Sequence, residues 1–320
     1  MRSVIVALCG LASVLPHALA ADNLLGIGQS GTTYVAARSD GSVYRAGAGG
    51  TVFTVQSTPG SGALHAAAHL NGIYAVVGAG GRIVRSTDGG LGWSTETSNV
   101  AVGLRDVVAQ GIHLIAVGDA GTTLRRTSTV AVWDTTASPG SAALRSVAAA
   151  GNITIAVGDA GTVLRSTDQG LSWSRQQIAG MPDLRGVTGR SGSGTFLAVG
   201  RGGVIVRSTD SGLNWAAVSS PTSRDLLGIA QDPNRFVAVG AGGTVLRSGA
   251  TGASGSWFVV GTPVDVTLHD TLHDGLRFFA VGDNEVVLRS TDGTTWIQVA
   301  IESITWGDVK RLYRATPRRP

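Results

Sequence analysis

The chain has 320 residues, of which 47 are glycine, 43% are apolar and 14% are charged, with a net charge of +4. Sparse, nearly balanced charge argues against a nucleic-acid footprint. One cysteine, Cys9, rules out a disulfide framework and a thiolate metal site. Glycine-rich composition with Ala, Val, Leu and Ile fits many short buried strands joined by tight turns, in one large all-β domain.

The first segment, residues 1–20, has a positive charge at Arg2, an apolar run through Leu15 and the small-residue pattern Ala18, Leu19, Ala20 before Ala21. This is the layout of a secretory signal peptide cleaved after Ala20. Pro16 and His17 interrupt the run before it reaches the roughly 20 apolar residues of a membrane span. Leu8 before Cys9 argues against acylation. The expected location is therefore exported, periplasmic or secreted, with no membrane span after cleavage.

From residue 21 the chain repeats. Gly78, Gly118, Gly158, Gly200, Gly240 and Gly282 each follow an AVG-like strand, and Arg38 holds the same place in a degenerate first copy. Each unit opens at a leucine (Leu24, Leu64, Leu104, Leu144, Leu184, Leu226, Leu268), passes two further apolar strands, and begins a fourth at an aromatic (Phe53, Trp93, Trp133, Trp173, Trp215, Trp257, Trp296). Four strands in a unit of about 40 residues predict a β-propeller blade. The predicted fold is thus an all-β seven-bladed β-propeller over 21–303, with blades near 24–58, 64–98, 104–138, 144–178, 184–220, 226–262 and 268–300. Closure into a disc hides sheet edges that such strands would otherwise expose. Residues 304–320 follow as a closing strand and a basic tail containing Lys310; sequence leaves open whether the strand joins the first blade, the last blade or the rim.

Three units carry SxDxGxxW intact: Ser86, Asp88, Gly90, Trp93; Ser166, Asp168, Gly170, Trp173; and Ser208, Asp210, Gly212, Trp215. A shortened copy has Ser290, Asp292 and Trp296. The phrase resembles the Asp-box, or BNR repeat, of sialidases and many other propellers. Its expected role is structural: Asp accepts backbone N–H bonds in a tight turn, Gly supplies a positive φ and Trp packs between sheets.

Two arginine columns invite functional readings. Arg45, Arg85, Arg125, Arg165, Arg207, Arg247 and Arg289 fill one position in all seven units, although Ala48, Ser128 and Ala250 replace the aspartate in three. These guanidiniums either cap carbonyls and pack between blades, or form a patch that reads carboxylates, phosphates or an acidic protein surface. The residue after each opening leucine is expected to face the central channel, which gathers His65, Arg105, Arg145 and Arg185 on one arc of its mouth. Asp119, Asp159 and Asp283 are placed to pair with this face.

Catalytic and metal constellations are not evident. The mature chain has Tyr34, Tyr44, Tyr74 and Tyr313 and the acids Glu96, Glu285 and Glu302, none in a distinctive setting, where a glycosidase needs a converging pair of acids or its equivalent. The pairs His65/His69 and His269/His273 have helical spacing but lie in predicted strands or turns. No GxSxG, Walker loop or HExxH occurs. The expectation is no enzyme, no cofactor and no metal.

The combined phrase AVGxxGxxLRSxDxGxxW, repeated behind a signal peptide, resembles the photosystem II stability and assembly factor family of plants and cyanobacteria and its bacterial relatives, from Leu24 to Trp296. The resemblance implies a non-catalytic, monomeric scaffold that binds a protein partner while a membrane-associated complex is assembled or stabilised. It also implies a partner-binding arginine patch, which by position falls on Arg85, Arg125, Arg165, Arg207, Arg247 and Arg289. The alternative class is an Asp-box carbohydrate-active protein, a sialidase-like glycoside hydrolase or a lectin.

Overall fold

The computed structural model describes residues 22–302 apart from Val130 and Ala179; the signal segment with Cys9 and the tail 304–320 lie outside the described residues. The chain is a seven-bladed β-propeller. Seven antiparallel sheets follow one another, each taking its strands in chain order from the axis outward. Blade one, for example, is built from Leu24–Ser30, Thr33–Arg38, Val43–Ala46 and Val52–Gln56. The second strands are almost wholly buried, as in Ile73–Gly78 and His113–Gly118. They read as continuous apolar runs because both faces of a blade pack on neighbouring blades.

The strand-two-to-three turns explain the glycine pattern. In blades two to seven each is a three-residue 3-10 turn such as Asp159–Gly161, with Ala160 at φ 52° and Gly161 at φ 66°. A Cβ at Gly161 would stand 2.9 Å from the Ile178 carbonyl oxygen, so the column needs glycine for space as well as for φ. Blade seven breaks the rule with Glu285 at φ 58°, and its side chain has a separate use described below.

Ring closure falls between blades seven and one. Ala300–Glu302 pairs in parallel with Val52–Thr54, adding a fifth strand to blade one. This pairing begins at the last residue read into blade seven and precedes the closing strand expected at 304–320, which lies outside the described residues. Arg38 is buried in the same seam, holding Asp22 at 2.9 Å, Asp40 at 2.9 Å and Glu285 at 2.5 Å. The residue that makes the first copy look degenerate is thus an ion-pair hub of the closure. Tyr34 stacks on Phe279 at 4.7 Å and donates to Asp274 at 2.5 Å across the same boundary. Burial and that contact push the Tyr34 hydroxyl up to about 12.

Candidate functional site

The aspartate-containing turns are local clasps. Asp88 Oδ1 accepts the Leu91 and Gly92 N–H groups at 3.1 and 2.9 Å, while Ser86 Oγ accepts Gly90 N–H at 2.8 Å. Asp168 with Ser166 and Gly170, and Asp210 with Ser208 and Gly212, repeat the arrangement; Asp292 makes a shortened version with Ser290. Backbone and side-chain donation from Asn214, with Ser208, holds the Asp210 carboxyl down to about 2. Trp93, Trp215 and Trp296 fold back to donate to Gly90, Gly212 and Gly293 carbonyls at 3.2, 3.2 and 3.3 Å. Trp173 is buried between blades. These turns belong to four different blades, which places the acids around the disc and apart from one another.

The repeat arginines reach into the next blade. Arg45 Nε donates to Gly89 O at 2.7 Å, Arg125 to Gln169 O at 3.0 Å, Arg165 to Ser211 O at 2.7 Å and Arg247 to Asp292 O at 3.1 Å. Arg289 closes the circle through Nη1 to Gly49 O at 3.2 Å. The acceptor is a main-chain carbonyl of the neighbouring turn, which exists whatever side chain stands at the aspartate position. This is why the arginine persists where the aspartate is gone. Arg85 instead meets Glu96 at 3.3 Å, and Arg207 Nε is buried with no partner among the described residues. The column is distributed one residue per blade and is not brought together.

The second column does converge. In every blade the strand-one register slips between the leucine and the residue two positions on, so the intervening residue is the extra one of a β-bulge. Those bulged residues are Leu25, His65, Arg105, Arg145, Arg185, Leu227 and His269, and all seven line one axial cavity of about 200 Å³. A bulge re-aims consecutive side chains, so the next ring also faces the channel: Asp106, Ser146, Gly186, Gly228 and Asp270 among them. A third ring, including Ile27, Val107, Val147, Val187 and Ile229, narrows it with apolar groups.

The mouth is a ladder of ion pairs. Arg105 grips Asp119 through two bonds of 2.9 and 2.6 Å, and Arg145 grips Asp159 through 2.9 and 2.7 Å. Arg145 also approaches Asp119 at 3.5 Å; Arg185 meets Asp183 at 2.9 Å and Asp159 at 3.8 Å. His269 meets Asp283 at 2.6 Å. Hydrogen bonds from Arg105 and Arg145 hold the Asp119 and Asp159 carboxyls below the usual range. Burial drives His65 down, toward the neutral ring that shares a 2.6 Å hydrogen bond with Leu104 O.

Sequence reasoning missed Asp106 and Asp270. Asp106 accepts Ser146 Oγ at 2.9 Å and Val147 N–H at 2.8 Å from blade four; Asp270 accepts Ile27 N–H at 3.0 Å from blade one. Enclosure by protein pushes them up to about 6 and about 7, with mutual repulsion adding to the Asp270 shift. Their signal lay in the column Gly26, Ala66, Asp106, Ser146, Gly186, Gly228, Asp270, where two acids interrupt small residues. The acids Glu96 and Glu285, whose settings look undistinctive in sequence, are also engaged: Glu96 accepts from Arg126 at 2.9 Å and Trp133 Nε1 at 2.8 Å between blades two and three. Among the described residues no three potential metal ligands cluster.

Fold and site together define a closed seven-bladed propeller whose charged groups converge on the axial mouth. No family model and no curated protein matches the chain. Among solved structures it is similar to YCF48 bound to D1 peptide, with TM-score 0.69 and 16% identity over 85% of this chain and 93% of that one. It is also similar to YCF48 from Cyanidioschyzon merolae, with TM-score 0.68 and 18% identity over 87% and 98%. The WD40 propeller domain of Doa1 matches with TM-score 0.67 and 13% identity over 84% and 92%. At these identities the likeness establishes the fold.

Proposed function

We propose that the chain is an exported, non-catalytic scaffold that binds a protein partner while a membrane-associated complex is assembled or stabilised. The observation that carries this reading is the convergence of charged groups on one face, the channel mouth, where arginines and acids pair with one another. Asp88, Asp168, Asp210 and Asp292 are committed to their turns. Tyr34, Tyr44 and Tyr74 are each about 1% exposed, and Glu96 is enclosed by Arg126 and Trp133. The likeness in fold to YCF48 bound to D1 peptide supports protein binding. In this reading the mouth residues His65, Arg105, Arg145 and Arg185 form the contact face, and most repeat arginines hold the ring together.

Cross-linking of the mature protein in its native envelope, followed by identification of captured partners, tests the proposal. A partner captured by the intact protein and lost when Arg105, Arg145 and Arg185 are replaced by Gln is the expected result. Turnover of fluorogenic sialosides or other glycosides that survives purification would overturn the non-catalytic reading.

A further inference from the structure

The charge balance of the channel is the reverse of what an arginine count implies. Arg105 and Arg145 are each clamped by two bonds to a carboxylate, and Arg185 has Asp183. The mouth is therefore close to neutral. One ring deeper, neither Asp106 nor Asp270 has an ion-pair partner among the described residues, although both line the cavity. They belong to blades three and seven, which stand nearly opposite each other in a ring of seven. Each carboxylate offers about four acceptor sites. Asp270 uses two, for Ile27 and Thr271 N–H, and Asp106 uses three, for Ser146, Val107 and Val147. One acceptor site on Asp106 and two on Asp270 thus have no partner among the described residues, in a cavity that both carboxyls line.

The geometry points to the axial cavity as the receptor for one cationic side chain, an arginine or lysine presented by the partner, with its charged head between Asp106 and Asp270. This rests on the scaffold reading and names its recognition element: the partner inserts a basic residue, where the sequence alone pointed to an acidic surface. A cation on the axis supplies the charge that the enclosed pair lacks, and desolvation in the channel strengthens the contact. The other titratable and charged groups facing the pair are His65, Arg105, Arg145, Arg185 and His269. The three arginines each have an acid partner at the mouth, and the stem of the inserted residue passes among these pairs.

The test uses N-acetyl-L-arginine amide as probe on the whole mature protein, followed by saturation-transfer NMR, with the glutamine and aspartate amides as neutral and acidic counterparts. Saturable binding of the arginine probe alone is expected, tightening from pH 5 to pH 8 as the carboxylates ionise. Asp106→Asn and Asp270→Asn retain an acceptor for the neighbouring N–H groups and should each weaken the probe by about tenfold or more. No saturable arginine binding, a preference for the aspartate probe, or unchanged binding in both variants would overturn the inference. The probe comparison on unsubstituted protein stands even if a variant folds poorly. Failure here with a partner still captured by cross-linking leaves the scaffold reading intact; probe binding with no partner captured does the opposite.

Discussion

Arg165→Met removes a guanidinium while keeping most of its aliphatic stem, so the perturbation is confined to the bond from Nε to the Ser211 carbonyl in blade five. At 2.7 Å this is a short, charge-assisted hydrogen bond, and losing such a bond typically costs about 1.5–3 kcal/mol. Arg165 is half-buried, and water reaching the freed carbonyl reduces the cost to about 1–2 kcal/mol. For a cooperative ring of this size that corresponds to a fall in Tm of about 2–4 °C. Arg207→Met is the matched control in the next blade, because Arg207 Nε has no partner among the described residues and the same truncation should leave Tm within about 1 °C. Differential scanning calorimetry of both variants, with partner capture measured in parallel, separates the structural from the binding role. Equal Tm losses in the two variants, or unchanged Tm at Arg165 with capture abolished, would refute the carbonyl-tie argument.

Three further outcomes follow from the same structure. The native state holds the Asp270 proton more tightly than the unfolded chain, from 3.8 up to about 7, so the stability from this group is full below about pH 4 and fades as pH rises through 7. The shift is worth up to roughly 4 kcal/mol, less what channel water recovers, and urea midpoints of Asp270→Asn from pH 4 to 8 should be flatter than those of the parent. Gly26→Ala should lower stability by about 1–3 kcal/mol, because the new Cβ would overlap the His65 main-chain carbonyl at the seam of blades one and two; a denaturant titration reads the loss. Ile301→Pro should break the parallel pairing with blade one and speed hydrogen exchange at Val52–Thr54 while sparing Leu226–Asp232 across the ring.

The repeat was legible in the sequence because each blade solves the same local problem. A strand buried on both faces must be apolar, a turn with positive φ beside a carbonyl must be glycine, and a tight turn with spare N–H groups is served by Ser and Asp. These constraints act over a few residues and so recur with the unit, which is enough to count seven blades and to place Arg105, Arg145 and Arg185 at the channel. What the arginines bind was not legible, since the carbonyl that holds Arg165 lies 46 positions away in the next blade. Arg38 read as a damaged marker because its partner Glu285 is brought to it only when the ring closes. Asp106 and Asp270 went unread for the same reason. Their meaning comes from facing one another across an axis that exists only in the closed disc, where burial and mutual repulsion act on groups remote in the chain.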